Sequence, residues 1–468
     1  MALKDCPQRG KYLWERISHA GVDYHGNSKK APEDSRSLKP SEAACANGTA
    51  RVLDCGCPLP LWALLLPAAY RLRLRQPLDT LVVVWQFVAR MRSSENQLLL
   101  TGTFLAKPQR SRVKPLGRWR WAAKVVALCF AMVGGTVAAR AFTAADADTL
   151  LAAHARTFYQ ETNGCAWFKE TELGGKTSFW MRAEQMEMEL DAYERTANPH
   201  QLVMFTNLFR GFVADHGPDW SHNEFNDDII WMVIACARAA LLTGNPAFRD
   251  AARSNFDACY ARAWSTDLGG GLWWKTDNRS KNACVNGPAA IAAVLLRRAC
   301  QEPAYLLKAT NIFLWERTNL FDAATGQVYD NVRRTARKNF RAFTYNEGTF
   351  VGAANLLGYT NEAMLAATYT MKQLCRDGLL PAYGEGGDGG GFNGICVRWI
   401  ARFMKERHAE SVFESWLQKN ADAAWNVRRP ADNLSWCRWH EPTPAGPLHS
   451  FGCSSSVVIL QVVPPSRP

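Results

Sequence analysis

The chain has 468 residues, of which 47% are apolar, so it can bury a sizeable core and is not disordered overall. A formal net charge of +12 raises the question of a nucleic-acid or membrane ligand. However, residues 1–140 hold 22 Lys and Arg against 9 Asp and Glu, which leaves 33 against 34 for the remainder. The basic character therefore belongs to an N-terminal arm, and the main domain is not expected to bind nucleic acid.

The arm divides into two segments. Residues 1–117 show no sustained hydrophobic period, and we expect a disordered extension there. Residues 118–141 combine a basic start, a short apolar run and a small-x-small end, which is typical of a secretory signal peptide and too short for a comfortable bilayer span. We hypothesise that translation starts further downstream or that the segment is an internal signal anchor. We expect a secreted protein with no stable membrane span in the mature domain, and a downstream translation start predicts a mature start near Phe142.

Cysteine and histidine usage gives no metal signature. Nine of the 14 cysteines follow residue 141, none in a CxxC pair, and no His/Cys/Asp cluster is apparent, so we expect neither a metal nor a cofactor. Some of these cysteines could form disulfides in a secreted protein, with one left over. Two sequons, at Asn278 and Asn433, are compatible with a glycosylated surface.

Hydrophobic period and helix breakers predict an all-α main domain over residues 142–468, with little strand-like alternation. The twelve predicted helices cover 144–160, 179–195, 200–215, 226–243, 246–263, 282–300, 303–319, 344–358, 361–374, 389–406, 409–424 and 450–461.

Long and short connections alternate between these helices. The long connections are rich in Gly and aromatic residues and cover 161–178, 216–225, 264–281, 320–343, 375–388 and 425–449. Since successive helices lie antiparallel, strict alternation brings all long loops to one end. This predicts an (α/α)6 toroid whose functional face is the end where the even-numbered helices begin. A helical solenoid would need a repeating sequence unit, and we find none.

Two adjacent carboxylates, Asp227 and Asp228, open the fourth helix on that face. Asn226 before them is a favoured N-cap, and Asp is favoured in a first helical turn, so the pair could serve only as a cap. Neighbouring helical residues point about 100° apart, however, so the two carboxylates could flank a small molecule across the helix end. Cleavage of a glycosidic bond requires such an arrangement.

The long loops also have the composition of a saccharide site. They carry many of the 18 tryptophans beside Asp, Asn and Glu, and sugars present apolar faces and hydroxyl edges to such groups. We expect roughly half of these rings to be packing residues instead. The Gly-rich run at 386–391 lacks the strand, helix and Lys-Ser/Thr of a nucleotide loop, and Trp231 stands where a prenyl-diphosphate motif needs a third Asp.

Several motifs occur in an order and spacing that resembles glycoside hydrolase family 76 over roughly residues 142–461. They are Asn-Asp-Asp-Ile-Ile-Trp at 226–231, Gly-Gly-Gly-Leu-Trp-Trp at 269–274, Lys-Asn-Ala-Cys-Val-Asn-Gly at 281–287, Thr-Tyr-Asn-Glu-Gly at 344–348 and Phe-Asn-Gly-Ile-Cys-Val-Arg at 392–398. The resemblance implies an endo-acting α-1,6-mannanase on an (α/α)6 barrel, and fungal relatives act at the cell wall. It implies a polysaccharide substrate, and we expect a monomer.

The resemblance also assigns roles to residues. Asp227 would be the nucleophile and Asp228 the general acid/base of a retaining double displacement, while Asp330 would hold the neighbouring sugar. In this scheme the helix N-terminus keeps Asp227 ionised, and burial or repulsion keeps a proton on Asp228. The residues expected to bind substrate are Trp273, Trp274, Asn286, Asp330, Tyr345, Asn346, Glu347, Asp388, Phe392 and Arg398.

Other functions remain open at this point. A cell-wall transglycosidase would use the same nucleophile and differ only in whether water or a sugar hydroxyl accepts the glycosyl group. A glycan-binding protein without activity would keep the groove, although the intact Asp pair argues against it. An (α/α)6 epimerase or uronyl hydrolase fits the architecture but not the ordered motifs.

Overall fold

A computed structural model describes residues 140–466; the arm at 1–117 and all but the last two residues of the signal-like segment lie outside them. Twelve α-helices occur in the described part: α1 Ala144–Phe158, α2 Phe179–Thr196, α3 Pro199–His216, α4 Asn226–Thr243, α5 Pro246–Ala263, α6 Ala283–Cys300, α7 Pro303–Asn319, α8 Thr344–Leu357, α9 Thr360–Tyr369, α10 Phe392–Arg407, α11 Glu410–Asn426 and α12 Ser450–Val462.

The helices form two concentric rings. Each even-numbered helix packs against the next even-numbered one, and α12 packs against α2, so the inner ring is closed. The odd-numbered helices lie outside: α3, α5, α7, α9 and α11 each pack against a neighbour in sequence, and α1 packs against α12. The predicted (α/α)6 toroid is therefore confirmed, with the long connections at the end where the inner helices begin.

The inner helices are buried on nearly every side, which explains their composition. Helix α4 is buried from Ile229 to Ala240 without interruption. Helix α6 is long and apolar enough to cross a membrane, yet it is 78% buried within the ring, as a core helix should be. Small residues permit close helix contacts there: a Cβ at Gly348 of α8 would lie 2.5 Å from Cα of Cys396 in α10.

Short strands, which the sequence patterns did not predict, occur in three connections. Strands β1 (Tyr159–Thr162) and β2 (Cys165–Phe168) form a hairpin, so α1 ends at Phe158 rather than at the predicted residue 160. Strand β4 (Asn331–Arg333) pairs antiparallel with both β3 (Ser280–Asn282) and β5 (Lys338–Asn339). Segments of two to four residues are too short for an alternation signal.

Two predicted helices include other helical forms. The segment predicted at 361–374 is α9 followed by a π-helical turn over Thr370–Leu374, and α10 follows a 3₁₀ turn over Asp388–Gly391. All nine cysteines within residues 140–466 are free thiols.

Candidate active site

A cavity of about 870 Å³ opens at the long-loop end of the toroid. Both carboxylates of the pair lie in its wall. The remaining lining residues are Ser178, Trp180, Phe225, Trp231, Trp274, Lys275, Asp277, Arg279, Ser280, Asn282, Cys284, Asp330, Asn331, Arg333, Phe343, Tyr345, Asp388 and Phe392. This mixture of rings, amides and charges can contact both the faces and the hydroxyl edges of a sugar.

The start of α4 differs from the predicted cap. Asn226 is the first helical residue, and the N-cap is Phe225, which makes no side-chain capping bond. The Asn226 amide instead donates to the carbonyl of Trp273 over 2.8 Å, and its backbone N–H donates to the carbonyl of Trp274 over 2.8 Å. Asn226 therefore joins the beginning of α4 to the turn that carries Trp274.

Arg262 of α5 fixes the loop that leads into α4. Its guanidinium donates to Oδ1 of Asn226 over 2.6 Å and to the carbonyls of Ser221 and Asn223 over 2.7 Å each. The planar guanidinium group can donate to all three oxygens at the same time, whereas the ammonium group of a lysine could not reach all of them. Arg262 therefore positions the residues that precede the carboxylate pair.

Asp227 is held by two donors on one oxygen. Trp274 donates its indole N–H to Oδ2 over 3.0 Å, and the Cys284 thiol donates to the same atom over 3.3 Å. The other oxygen, Oδ1, is buried without a hydrogen-bond partner. A buried carboxylate oxygen without a donor is available to a reacting atom of a bound molecule.

Asp228 lies in a different polar environment. Its Oδ2 accepts a hydrogen bond from the Asn223 amide over 2.9 Å. Trp180 donates its indole N–H to Oδ1 of Asp388 over 3.0 Å, and the charge of this third carboxylate in the cavity wall acts on Asp228.

Burial raises the pKa of both carboxyls. The pKa of Asp227 rises to about 8, chiefly through desolvation and then through repulsion from Asp228. Desolvation also raises the pKa of Asp228 to about 6; the Asn223 hydrogen bond opposes this shift, and repulsion from Asp388 adds to it. The higher pKa thus falls on Asp227 in the free protein, whereas the sequence analysis expected it on Asp228. Interacting carboxyls titrate as a pair, so Asp227 and Asp228 together hold one proton when the pH lies between about 6 and about 8.

A second wall of the cavity carries Asp330 and a pair of rings. Oδ2 of Asp330 accepts hydrogen bonds of 2.8 Å from the amides of Asn331 and Asn339. The rings of Tyr345 and Phe392 are stacked, with centroids 4.0 Å apart and planes 17° apart. This wall therefore offers one oriented carboxylate and one aromatic surface.

Two comparisons relate this site to known proteins. The sequence model of Glycosyl hydrolase family 76 matches residues 143–459, which contain every residue of the cavity. The chain belongs to glycosyl hydrolase family 76. It is therefore a member of a glycoside hydrolase family, as its motifs predicted. No curated protein matches the chain.

Solved structures with the same fold include family 76 proteins. The α-1,6-mannanase of Salegentibacter sp. HEL1_6 is 30% identical, with a TM-score of 0.64 over 68% of this chain and 98% of that protein. A variant of that enzyme, inactivated by changing two consecutive aspartates to asparagine, is known in complex with α-1,6-mannotriose. Dfg5 of Chaetomium thermophilum, in complex with glucosamine, is 17% identical with a TM-score of 0.59 over 68% of this chain and 91% of that one.

Within this family 76 site, the structure separates the residues predicted from the motifs into two groups. Those that line the cavity are Asp227, Asp228, Trp274, Asp330, Tyr345, Asp388 and Phe392. Those that do not line it are Trp273, Asn286, Asn346, Glu347 and Arg398. Their predicted contact with substrate is not supported by this placement, and each has another role or lies in the core.

Trp273 and Asn286 belong to the support of the Gly-rich turn. Trp273 is 2% exposed and packs beneath the ammonium group of buried Lys281. The Asn286 side chain exchanges hydrogen bonds with the backbone N–H and carbonyl of Leu272, over 2.8 and 3.1 Å. Gly271 has a φ of +80°, and a Cβ there would lie 2.3 Å from the Trp315 ring. These residues set the position of Trp274 without facing the cavity.

Asn346 and Glu347 are fully buried in the first turn of α8. Oε1 of Glu347 accepts the backbone N–H of Val328 over 2.8 Å, and desolvation raises the pKa of its carboxyl well above the ordinary value. Glu347 therefore supports the connection that leads to Asp330.

Arg398 of α10 is buried away from the cavity. Its guanidinium contacts Glu184 and donates from Nε to Oδ2 of Asp191 over 2.7 Å, and Arg238 of α4 donates to Oδ1 of the same Asp191 over 2.8 Å. Two arginines thus neutralise carboxylates on α2 inside the inner ring. Arg398 lies nearly two turns along α10 from Phe392, the residue of this helix that lines the cavity.

Sequence reasoning omitted several lining residues from the predicted site. Trp180 and Trp231 face the cavity from α2 and α4, and Cys284 contacts Asp227 from α6. All three lie within the first two turns of inner helices, so their position at the functional face was the available signal. Arg333 belongs to β4 and Arg279 directly precedes β3, and the sequence patterns predicted neither strand. Within residues 140–466, no group of His, Cys, Asp and Glu side chains is suited to hold a metal ion.

Proposed function

We propose that this family 76 protein hydrolyses α-1,6-mannosidic bonds within mannan chains by a retaining double displacement. The observation that carries the proposal is the pair Asp227 and Asp228, which lies in the wall of an aromatic-lined cavity and holds one proton near neutral pH. The mannanase that is 30% identical, and its inactive complex with α-1,6-mannotriose, support the substrate class.

In the first step, Oδ1 of Asp227 attacks the anomeric carbon while the bond from that carbon to O6 of the leaving mannose breaks. Asp228 gives its proton to that oxygen. The mannosyl group is then esterified to Asp227, and Asp228 removes a proton from water, which attacks the same carbon and releases Asp227. The two inversions restore the α configuration.

The proton must reside on Asp228 at the moment of cleavage. Positive charge develops on the sugar beside Asp227 and favours the ionised form of that carboxyl. The donors Trp274 and Cys284 stabilise the same form, since their hydrogen bonds lower its pKa. Bound saccharide therefore shifts the shared proton from Asp227, where it lies in the free protein, to Asp228.

Product analysis on linear α-1,6-mannan in H₂¹⁸O tests the activity. We expect shorter oligosaccharides that carry ¹⁸O at the new reducing end, retained α configuration and a mixed size distribution typical of endo cleavage. Products lengthened by transfer, without ¹⁸O, would identify a transglycosidase instead. Binding of the oligosaccharides without cleavage would identify a glycan-binding protein.

We further propose that the protein is secreted and acts outside the cell, free or at the cell wall. The support is the signal-like segment at 118–141, which lies almost wholly outside the described residues. N-terminal sequencing of protein from the culture medium should give a start near Phe142. Mature protein that retains residues 1–120 would contradict a downstream translation start.

A further inference from the structure

The hairpin of β4 and β5 is strongly basic, in contrast to the nearly neutral main domain. Between residues 331 and 341 it carries no Asp or Glu. Its basic residues are Arg333, Arg334, Arg337, Lys338 and Arg341. All five are exposed or half-buried, so the positive charge is presented to solvent.

Strand pairing brings this hairpin to the cavity wall. Arg333 lies opposite Ser280 in the ladder between β3 and β4, and the N–H of Arg334 donates to the carbonyl of Arg279 over 2.8 Å. Arg279, the residue before β3, and Arg333 of β4 therefore lie on neighbouring segments, and both line the cavity that contains Asp227. We call Arg279, Arg333 and Arg341 the basic wall.

The basic wall is poorly neutralised by the protein itself. Among the described residues, no carboxylate forms an ion pair with Arg333 or Arg341. Arg279 has a single partner, Asp277, with 3.5 Å between Nε and Oδ2. Like charges on neighbouring segments repel one another, and an anion bound between them would relieve this repulsion.

Arg341 is held at the cavity rim by an aromatic contact. Its guanidinium carbon lies 4.7 Å from the ring centroid of Phe343, which lines the cavity. Such a contact fixes a long side chain while leaving its N–H groups free to donate. The rim therefore presents forked donors beside the sugar site.

We propose that the basic wall binds an anionic substituent, a phosphate ester or a carboxylate, on the saccharide that occupies the cavity. The inference rests on the proposed function, because it places a glycan beside Asp227 and Asp228. A neutral mannan offers these guanidinium ions only hydroxyl oxygens, whereas an oxyanion supplies a negative charge and matches their forked geometry. An anionic substituent held by these arginines would also fix which way the chain lies in the cavity.

Calorimetry tests this selectivity. We would measure the affinity of the inactive double variant Asp227→Asn/Asp228→Asn for three oligosaccharides. They are α-1,6-mannotetraose, the same tetraose with a phosphate monoester on its terminal mannose, and the same tetraose with a terminal carboxylate. We expect the better anionic ligand to bind roughly tenfold more tightly than the neutral one at low salt. The advantage should shrink as salt rises, because the wall is exposed. Whichever of the phosphorylated and carboxylated tetraoses binds more tightly identifies the anion that the basic wall recognises.

Arginine variants in the same background localise the effect. Arg333→Gln and Arg279→Gln should each remove most of the anionic advantage, whereas the neutral tetraose serves as the internal reference. Arg249→Gln is the matched control, since it removes one exposed charge from α5 at the opposite end of the toroid. The control should keep the full advantage.

The outcomes separate the inference from the function on which it rests. If neutral and anionic tetraoses bind with equal affinity while the wild type still cleaves mannan, the proposed role of the basic wall is wrong and the proposed function stands. The basic wall would also be ruled out if Arg333→Gln and Arg279→Gln still bound the anionic tetraose more tightly than the neutral one. Absence of both tetraose binding and mannan cleavage would refute the proposed function itself.

Discussion

The indole nitrogen of Trp274 lies 3.0 Å from Oδ2 of Asp227 and donates its hydrogen to that carboxylate. This bond lowers the pKa of Asp227 against the opposing effect of burial. Trp274→Phe keeps a ring but removes the donor. We expect kcat/KM on α-1,6-mannan to fall roughly tenfold to hundredfold, since hydrogen bonds to charged groups contribute about 1.5–3 kcal/mol.

The same variant should also change the pH dependence. Loss of the donor raises the upper pKa of the pair, so the alkaline limb of the activity profile should move to higher pH. Trp425→Phe is the control, because the Trp425 indole N–H has no hydrogen-bond partner and its ring is remote from the cavity. An unchanged profile in Trp274→Phe would show that this bond does not tune the pair.

The carboxylate pair predicts a bell-shaped profile of kcat/KM against pH in the wild type. Below about 6 both carboxyls are protonated and no nucleophile remains; above about 8 both are ionised and no acid remains. We expect the maximum near 7. Asp227→Asn and Asp228→Asn should each abolish cleavage while preserving the fold, as judged by circular dichroism. A flat profile from 5 to 9 would argue against a shared proton.

Burial of Asp227 has a cost in stability that depends on pH. The folded-state pKa of about 8 lies above the ordinary value of 3.8, so the folded protein binds this proton more tightly than the unfolded chain. The associated stability is fully present below pH 4 and is lost as the pH rises to 8. The melting temperature of Asp227→Asn relative to wild type should therefore increase over this interval. A constant difference would show that Asp227 is not desolvated.

Arg262 provides a test of positioning at a distance from the substrate. Arg262→Lys keeps the charge but cannot serve Ser221, Asn223 and Asn226 together. We expect kcat to fall about tenfold or more with a smaller change in KM, because Asn223 would no longer hold Asp228 in place. Oligosaccharide affinity measured by calorimetry should be nearly unchanged. A rise in KM at constant kcat would indicate a binding role instead.

Arg398 distinguishes stability from substrate binding. Arg398→Gln leaves Glu184 and Asp191 without one of their buried partners, which typically costs about 3–5 kcal/mol. We expect a clearly lower melting temperature but little change in KM below that temperature. Arg402→Gln, which changes a half-exposed arginine one turn away, should be almost neutral. A large increase in KM for Arg398→Gln would restore the substrate-binding role implied by the motif.

The order of helices could be predicted from the sequence because it depends on local signals that repeat along the chain. Apolar period, caps and the alternation of long and short connections were sufficient for the toroid. The short strands were not predictable in the same way. Strands β3 and β4 are about fifty residues apart in sequence and three residues long, so their pairing follows from the closed ring rather than from local propensity.

The candidate site could be predicted only in part, for a similar reason. The motifs identified Asp227, Asp228 and Trp274 correctly as residues of the functional face. They could not distinguish a side chain that faces the cavity from its support, because both belong to the same short motif. Thus Trp273 and Trp274 are adjacent, yet Trp273 is buried against Lys281 whereas Trp274 contacts Asp227.

Closure of the inner ring between α2 and α12 sets the order of events during synthesis. The Gln185 amide donates to the Ser450 hydroxyl over 3.0 Å, and these residues are 265 positions apart. Until α12 leaves the ribosome, α2 and α10 have open apolar flanks and the cavity lacks one side. A nascent chain of this kind must therefore wait for its last helix, and a chaperone that covers the open flanks should raise the yield of active protein.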